Sequence, residues 1–222
     1  MTTTTATTTV TVLTAPPARP LLAAAALATP LWTLVSLAQV LTRSGFDPTR
    51  HPLSALATGP LGWIQGASFL LTGALLAVGA SGLRRALRGT PGGTWAPRLV
   101  LVAGLGTAAA AFFRMDPADG FPVGTPAGPP AAISWHGALH MAAGSVAFAA
   151  LAAACLVLAR HHARAGARRA ALGSRAAAAA IVLGNAWAMA GCRAGSLTLA
   201  VGVTAAMAAV SATAGGLYRR TA

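Results

Sequence analysis

All carboxylates of this 222-residue chain lie in two short stretches that also contain other reactive side chains. The stretch RSGFDPTRHPLSALATGP contains Asp47, His51 and Ser54, and the stretch RMDPADGFPVGTPAGPP contains Asp116 and Asp119. The chain has no Glu and no Lys. Because carboxylate, imidazole and hydroxyl groups bind metals, transfer protons and attack substrates, we expect any chemistry to centre on these two stretches.

Two histidines, His136 and His140, follow the second stretch within SWHGALH. Residues four apart lie on the same face of a helix, so both imidazoles could bind one metal ion. With Asp116 as a third ligand, or with Asp119 or His51 instead, they would form a zinc site with an open water position. Zinc would lower the pKa of that water towards about 7 and generate a hydroxide nucleophile. In the alternative interpretation, His136 is an interfacial residue and His140 hydrogen-bonds a neighbouring helix.

The remaining polar residues of these stretches have structural interpretations beside the catalytic ones. Asp47, His51 and Ser54 could form a nucleophilic set, but no G-x-S-x-G sequence surrounds the serine, which favours a role in capping or loop packing. Arg50 and Arg114 could pair with the aspartates and hold the two stretches in place. Asn185, in a later apolar segment, is interpreted as an interhelical hydrogen-bonding residue.

The composition is that of a membrane protein. Hydrophobic residues make up 55% of the chain and charged residues only 9%, far below the quarter that is typical of soluble domains. A hydrocarbon core about 30 Å thick requires roughly 20 apolar helical residues. We therefore predict an all-α membrane protein, with a disordered Thr-rich tail at residues 1–18 and a six-transmembrane helical bundle at residues 19–222. The predicted spans are 21–42, 60–82, 97–113, 134–159, 175–192 and 196–217, with a short surface helix between Pro52 and Gly59 in the first outer loop.

The arginines predict the orientation of this bundle, because cations in short loops are retained in the cytoplasm. All sixteen basic residues are arginines, and twelve of them fall on one side of the predicted membrane. The other side carries Arg43, Arg50, Arg114 and Arg193 together with all three aspartates. We therefore expect cytoplasmic N and C termini and a multi-pass protein of a bacterial cytoplasmic membrane.

Three pieces of the chain resemble a family of bacterial membrane proteins catalogued as domain of unknown function 998. They are RHPLSALATGPLGWIQ, FRMDPADGFPVGTP and SWHGALHMAAG, which cover the outer loops and the second to fourth predicted helices. The resemblance implies about six spans and no agreed activity. It also suggests that the Asp-containing loop and the following His-bearing helix form one unit.

These observations leave several functions open. The first is binding or transport of a small molecule or lipid at a polar site formed by the first two outer loops and the start of the fourth helix. A metal-dependent hydrolase with zinc at His136, His140 and an aspartate is the second, and a haem or quinone redox protein is the third. The expected partner is the lipid bilayer. Nucleic-acid binding is not expected, because topology already explains the positive charge. The candidate ligand-binding residues are Asp47, Arg50, His51, Ser54, Arg114, Asp116, Asp119, His136 and His140.

Overall fold

The structure is a computed structural model and describes residues 17–221. The predicted Thr-rich tail lies outside the described residues except for Pro17 and Ala18. Within the described part, the chain is all-helical apart from loops and one isolated β-bridge. The helices are α1 (Ala18–Thr42), α2 (Gly62–Ala86), α3 (Trp95–Phe112), α4 (Trp135–Arg164), α5 (Arg168–Met189) and α6 (Gly195–Arg220), and a 3₁₀ helix spans Leu53–Ala57.

The six helices form a closed ring. Each helix packs on its neighbours in the chain, and α1 packs on α6 to complete the circle. Successive helices run antiparallel, as in the α5–α6 pair, where Gly184 meets Thr198 and Gly202 meets Ala180. Short connections and apolar faces explain this path, because a helix that follows a short turn packs back along its predecessor.

The two ends of the ring differ in chemistry. One end, which we call the arginine end, brings Arg19 of α1 over the ring of Tyr218 of α6, with 4.8 Å between the guanidinium carbon and the ring centroid. It includes the short connections 87–94 and 165–167. The opposite end, which we call the aspartate end, includes the connections 43–61, 113–134 and 190–194 and therefore all three aspartates. This separation agrees with the sorting of charges read from the sequence.

Five of the described helices, all except α5, are long and apolar enough to cross a membrane. Since a lipid-exposed span must satisfy its own backbone hydrogen bonds, several long apolar helices indicate a multi-pass integral membrane protein. Helix α5 has 22 residues but begins with Arg168 and Arg169 and contains Arg175. These charges lower its apolar character at the arginine end.

Helix ends differ from the predicted spans mainly at the arginine end. Helix α4 continues to Arg164, beyond the predicted limit of 159, and α5 begins at Arg168 instead of residue 175. The physical reason is that hydropathy marks the limits of the apolar core, whereas a helix continues as long as its backbone bonds are made. Arginine is a good helix former and extends these turns past the apolar segment.

Small residues allow the helices to approach closely. At the α2–α3 contact two glycines face each other, and a Cβ built on Gly104 would lie 2.7 Å from the carbonyl oxygen of Gly73. Gly106 packs in the same way against Ala143 and Ala147 of α4. Close backbone contact of this kind is the usual source of packing energy between membrane helices.

Candidate functional site

Two long loops at the aspartate end fold onto each other. We call residues 43–61 and 113–134 together the loop cap. Arg50 of the first loop forms a bidentate ion pair with Asp119 of the second loop, with Nη2 2.6 Å from Oδ1 and Nε 3.1 Å from Oδ2. These hydrogen bonds lower the pKa of Asp119 and raise the pKa of Arg50. This ion pair agrees with the structural interpretation of Arg50, whereas Arg114 forms no ion pair among the described residues.

His51 connects the same two loops from inside the cap, where it is 3% exposed. Its Nδ1 accepts a hydrogen bond from the Asp47 backbone N–H at 2.9 Å. Its Nε2 lies 2.9 Å from the Asp119 carbonyl oxygen. Because an N–H can only donate and a carbonyl can only accept, these bonds select the neutral tautomer with its proton on Nε2. Both ring nitrogens are occupied, and His51 therefore has no free nitrogen with which to activate Ser54.

Aromatic packing completes the cap. Phe121 of the second loop is 1% exposed and inserts into the first loop, where its ring lies 5.2 Å from that of Phe46 and 5.5 Å from that of His51. The Arg43 guanidinium lies 5.0 Å from the Phe121 ring and donates to the carbonyls of Leu56 and Thr58. The two loops therefore form one packed body.

Asp116 lies at the start of α4. Its Oδ2 accepts a hydrogen bond from the Ser134 backbone N–H at 2.9 Å, and hydrogen bonding from Ser134 lowers the pKa of Asp116. Ser134 caps α4 by accepting from the Gly137 N–H at 3.0 Å. A carboxylate at a helix N-terminus is favourable because of the helix dipole. Asp116 therefore stabilises the start of α4, the helix that carries His136 and His140.

The predicted metal ligands do not converge. His140 uses Nδ1 to donate to the Phe113 carbonyl at 2.7 Å, while the His136 ring stacks on Trp135 at 3.7 Å between centroids. Within residues 17–221 no group of three or more His, Cys, Asp or Glu side chains is arranged to hold a metal ion. The interpretation of His140 as a residue that hydrogen-bonds a neighbouring element agrees with this geometry.

A cavity of about 230 Å³ lies beneath the loop cap in the middle of the ring. We call it the central cavity. All six helices line it, together with Ser54 of the first loop and Met115 of the second, whose hydroxyl and sulfur lie 2.7 Å apart. Its aromatic lining is Trp32, Phe69 and Phe148, and four of the five methionines of the chain, Met115, Met141, Met189 and Met207, also face it.

Most polar groups of the central cavity are already satisfied by the protein. Thr107, Ser145 and Ser196 each donate to a backbone carbonyl. Among the polar side chains of the lining residues, three groups form no hydrogen bond within the described part of the chain, namely Nε2 of His140, the amide of Asn185 and the indole N–H of Trp32. With the His140 proton on Nδ1, a neutral ring leaves Nε2 as a hydrogen-bond acceptor. Sequence reasoning interpreted Asn185 as an interhelical bridge, and its place in the cavity could not be read from the sequence.

The central cavity has a side opening. Three of its lining residues are exposed, and they lie on facing parts of two neighbouring helices, Met141 and Ser145 on α4 and Met189 on α5. Gly144, beside them on α4, has open space around the position of a Cβ. These exposed lining residues indicate that the cavity opens towards the lateral surface of the ring between α4 and α5.

A family model described as "Protein of unknown function (DUF998)" matches residues 26–217. The chain belongs to this family. The matched region of this DUF998 member extends from α1 to α6 and includes the loop cap and the central cavity, so it is wider than the resemblance noted in the sequence. Comparisons with curated proteins and with solved structures give no match.

Proposed function

We propose that this DUF998 protein binds an apolar small molecule or a lipid chain in its central cavity. The observation that carries the proposal is the cavity itself, which is lined by aromatic and methionine side chains, closed above by the loop cap and open towards the side between α4 and α5. Apolar cavities of about 150 Å³ accommodate a benzene-sized molecule, so 230 Å³ suits a larger apolar group.

The lining supports a ligand that is apolar but has one hydrogen-bonding group. Methionine side chains adapt to ligands of irregular shape because they are unbranched and polarizable. His140 Nε2 and the Asn185 amide would orient the ligand, as a few polar groups do in an otherwise apolar pocket. The proposed site differs from the expected one, because Ser54 and His140 line the cavity whereas Arg50 and Asp119 join the two loops of the cap.

The same proposal includes six membrane spans, with both termini and the arginine end in the cytoplasm. Helix α5 packs between α4 and α6, and its 22 residues extend about 33 Å, enough to cross a hydrocarbon core. The exposed indoles of Trp63, Trp135 and Trp187 at the aspartate end are suited to a membrane interface. With this orientation the 3₁₀ helix and the loop cap face the outside of a bacterial cytoplasmic membrane.

The hydrolase and haem hypotheses have less support. A hydrolase that uses His136, His140 and Asp116 requires these groups to converge, yet Asp116 and His140 hydrogen-bond backbone groups and the His136 ring stacks on Trp135. For haem, the only other histidine at the aspartate end is His51, and both of its ring nitrogens make hydrogen bonds to backbone groups. Ligand binding requires no such rearrangement.

Photolabelling tests the proposal. A neutral long-chain alcohol carrying a diazirine is added to the protein in lipid nanodiscs, and labelled residues are mapped by mass spectrometry. We expect labels on Leu199, Val203 and Met207, which line the cavity on α6. Gly144→Phe should block this labelling because its ring fills the side opening. The matched control is Gly173→Phe on α5, where a Cβ also meets nothing within 4 Å but which lies outside the cavity.

The outcome separates binding from partitioning into lipid. Labels restricted to the lipid-facing surfaces of the helices, or cavity labels that are equally strong in Gly144→Phe and Gly173→Phe, would contradict the proposal.

A further inference from the structure

A second cavity, of about 440 Å³, lies at the aspartate end between the first loop and the turn that joins α5 to α6. Arg50, Arg193 and Asp119 line it, so that two positive charges face one negative charge. We call it the cationic cleft. Ala188 and Ser196 line both the cationic cleft and the central cavity, so the two spaces are neighbours separated by these residues.

Arg193 is the available cation of the cleft. The Arg50 guanidinium is already engaged by Asp119, whereas the Arg193 guanidinium forms no ion pair or hydrogen bond within residues 17–221. The Arg193 backbone is held in place, because its carbonyl accepts from the Trp187 indole at 3.0 Å. Because its backbone is fixed and its guanidinium has no partner among these residues, Arg193 can bind an oxyanion of a ligand.

The start of α6 adds positive potential to the same cleft. Helix α6 begins at Gly195 with no side-chain cap and no acidic residue in its first turn. The Ser196 hydroxyl donates to the Arg50 carbonyl at 2.8 Å and forms no cap hydrogen bond with this helix. The positive end of the helix dipole therefore reinforces Arg193.

We infer that the ligand of this protein is an anionic amphiphile. Its apolar chain lies in the central cavity and its carboxylate or phosphate group lies in the cationic cleft against Arg193. Because the two spaces are separated only by the small residues Ala188 and Ser196, we place one molecule across both of them. Trp187, whose exposed indole suits a membrane interface, places the cleft at the level of lipid headgroups. This inference rests on the proposed function and adds the chemical class of the ligand.

The test compares a diazirine-bearing alkyl phosphate with the alcohol of the same chain, each added to the protein in nanodiscs. Cavity labelling is measured over a range of concentrations. Since partitioning into lipid is the same for every variant, the change in the phosphate-to-alcohol ratio between variants reports on the protein alone. We expect Arg193→Ala to lower this ratio about fivefold, the upper range for an exposed ion pair, without changing the labelling by the alcohol. Arg193→Lys should retain most of the preference.

Two controls make the result specific. Arg114→Ala removes an exposed arginine at the same end of the protein that lines neither space, and it should leave the ratio unchanged. Inorganic phosphate at the same concentrations should not displace the alkyl phosphate, because it lacks the chain that fills the cavity. Displacement by inorganic phosphate would indicate a site for free anions and would overturn the inference.

The remaining outcomes distinguish this inference from the proposed function. If the alcohol labels the cavity but Arg193→Ala leaves the ratio unchanged, the amphiphile inference is wrong and the proposed function stands. If neither probe labels the cavity of the wild-type protein, the proposed function fails and the inference fails with it.

Discussion

Arg50 and Asp119, 69 positions apart in the chain, form a bidentate ion pair that joins the first loop of the cap to the second. Nη2 of Arg50 also donates to the Asp119 carbonyl at 3.2 Å, which is the same carbonyl that His51 contacts. Asp119 of the second loop therefore binds two side chains of the first loop, those of Arg50 and His51. The contact matters for binding because these loops contribute Ser54 and Met115 to the central cavity.

Loss of this ion pair should loosen the cap without unfolding the helices. In Asp119→Asn the carboxylate charge is removed, and Arg50 loses its ionic partner. We expect faster hydrogen exchange in residues 117–128, including the Gly128 amide that donates to Asp119 Oδ1, and unchanged exchange in α2 and α6. Mass spectrometry of deuterated peptides gives the measurement. Asp47→Asn is the control, since Asp47 bonds only to Thr49 of its own loop through its carboxylate.

The cap should open in acid. Because hydrogen bonds from Arg50 lower the pKa of Asp119, the closed loop binds a proton less readily than the open loop. The ion pair therefore stabilises the closed cap fully at pH values above the Asp119 pKa of the open loop, which is about 3.9. This stabilisation is lost as the pH falls through the lower pKa that Asp119 has in the closed loop. Exchange in residues 117–128, corrected for its intrinsic pH dependence, should rise only below about pH 4. Acid opening of equal size in Asp119→Asn would show that another group is responsible.

The α2–α3 contact should not tolerate a side chain. A Cβ at position 73 would lie 2.5 Å from the Gly104 carbonyl oxygen and 2.6 Å from the Ala108 nitrogen. Gly73→Ala should therefore push the helices apart and lower the free energy of unfolding by about 1–3 kcal/mol. Gly66→Ala, on the same helix, is the matched control because its nearest neighbour would be 4.0 Å away. Denaturant titration in detergent compares the two variants, and equal stability would contradict the packing described for this contact.

The two native cysteines can be used to determine the orientation of the protein in the membrane. Cys192 lies at the aspartate end and is partly exposed, whereas Cys155 is buried inside the ring. A membrane-impermeant maleimide should therefore label intact cells at Cys192, and Cys192→Ser should abolish the signal. In that background, Gly166→Cys at the arginine end should react only after the cells are permeabilised. The reverse pattern would place the loop cap in the cytoplasm.

The helices were predictable because hydropathy and helix length depend on local sequence. The six predicted segments correspond to α1–α6, and the charge difference between the two ends follows directly from the positions of Asp47, Asp116 and Asp119. Helix ends were less predictable, as Arg164 and Arg168 show, because helical hydrogen bonding continues past the apolar core.

The loop cap and the cavity depend on distant pairings that the sequence does not encode locally. The sequence offered four arginines for three aspartates on this side, and the pairing of Arg50 with Asp119 depends on how the two loops pack, with Phe121 against Phe46. The methionines gave no signal of their own, since Met115 and Met207 are far apart in the chain and only the closed ring brings them to one cavity. The sequence shows Asn185 as a polar residue in an apolar segment, but the direction of its side chain depends on how α5 packs.

Native mass spectrometry of the protein released from its own membrane tests most directly whether the central cavity holds a ligand. We expect a bound molecule with an apolar chain that is retained in the wild-type protein and in Gly173→Phe and is absent from Gly144→Phe, whose side chain would occupy the opening between α4 and α5. No bound species in the wild-type protein, or the same species at the same occupancy in all three proteins, would contradict it.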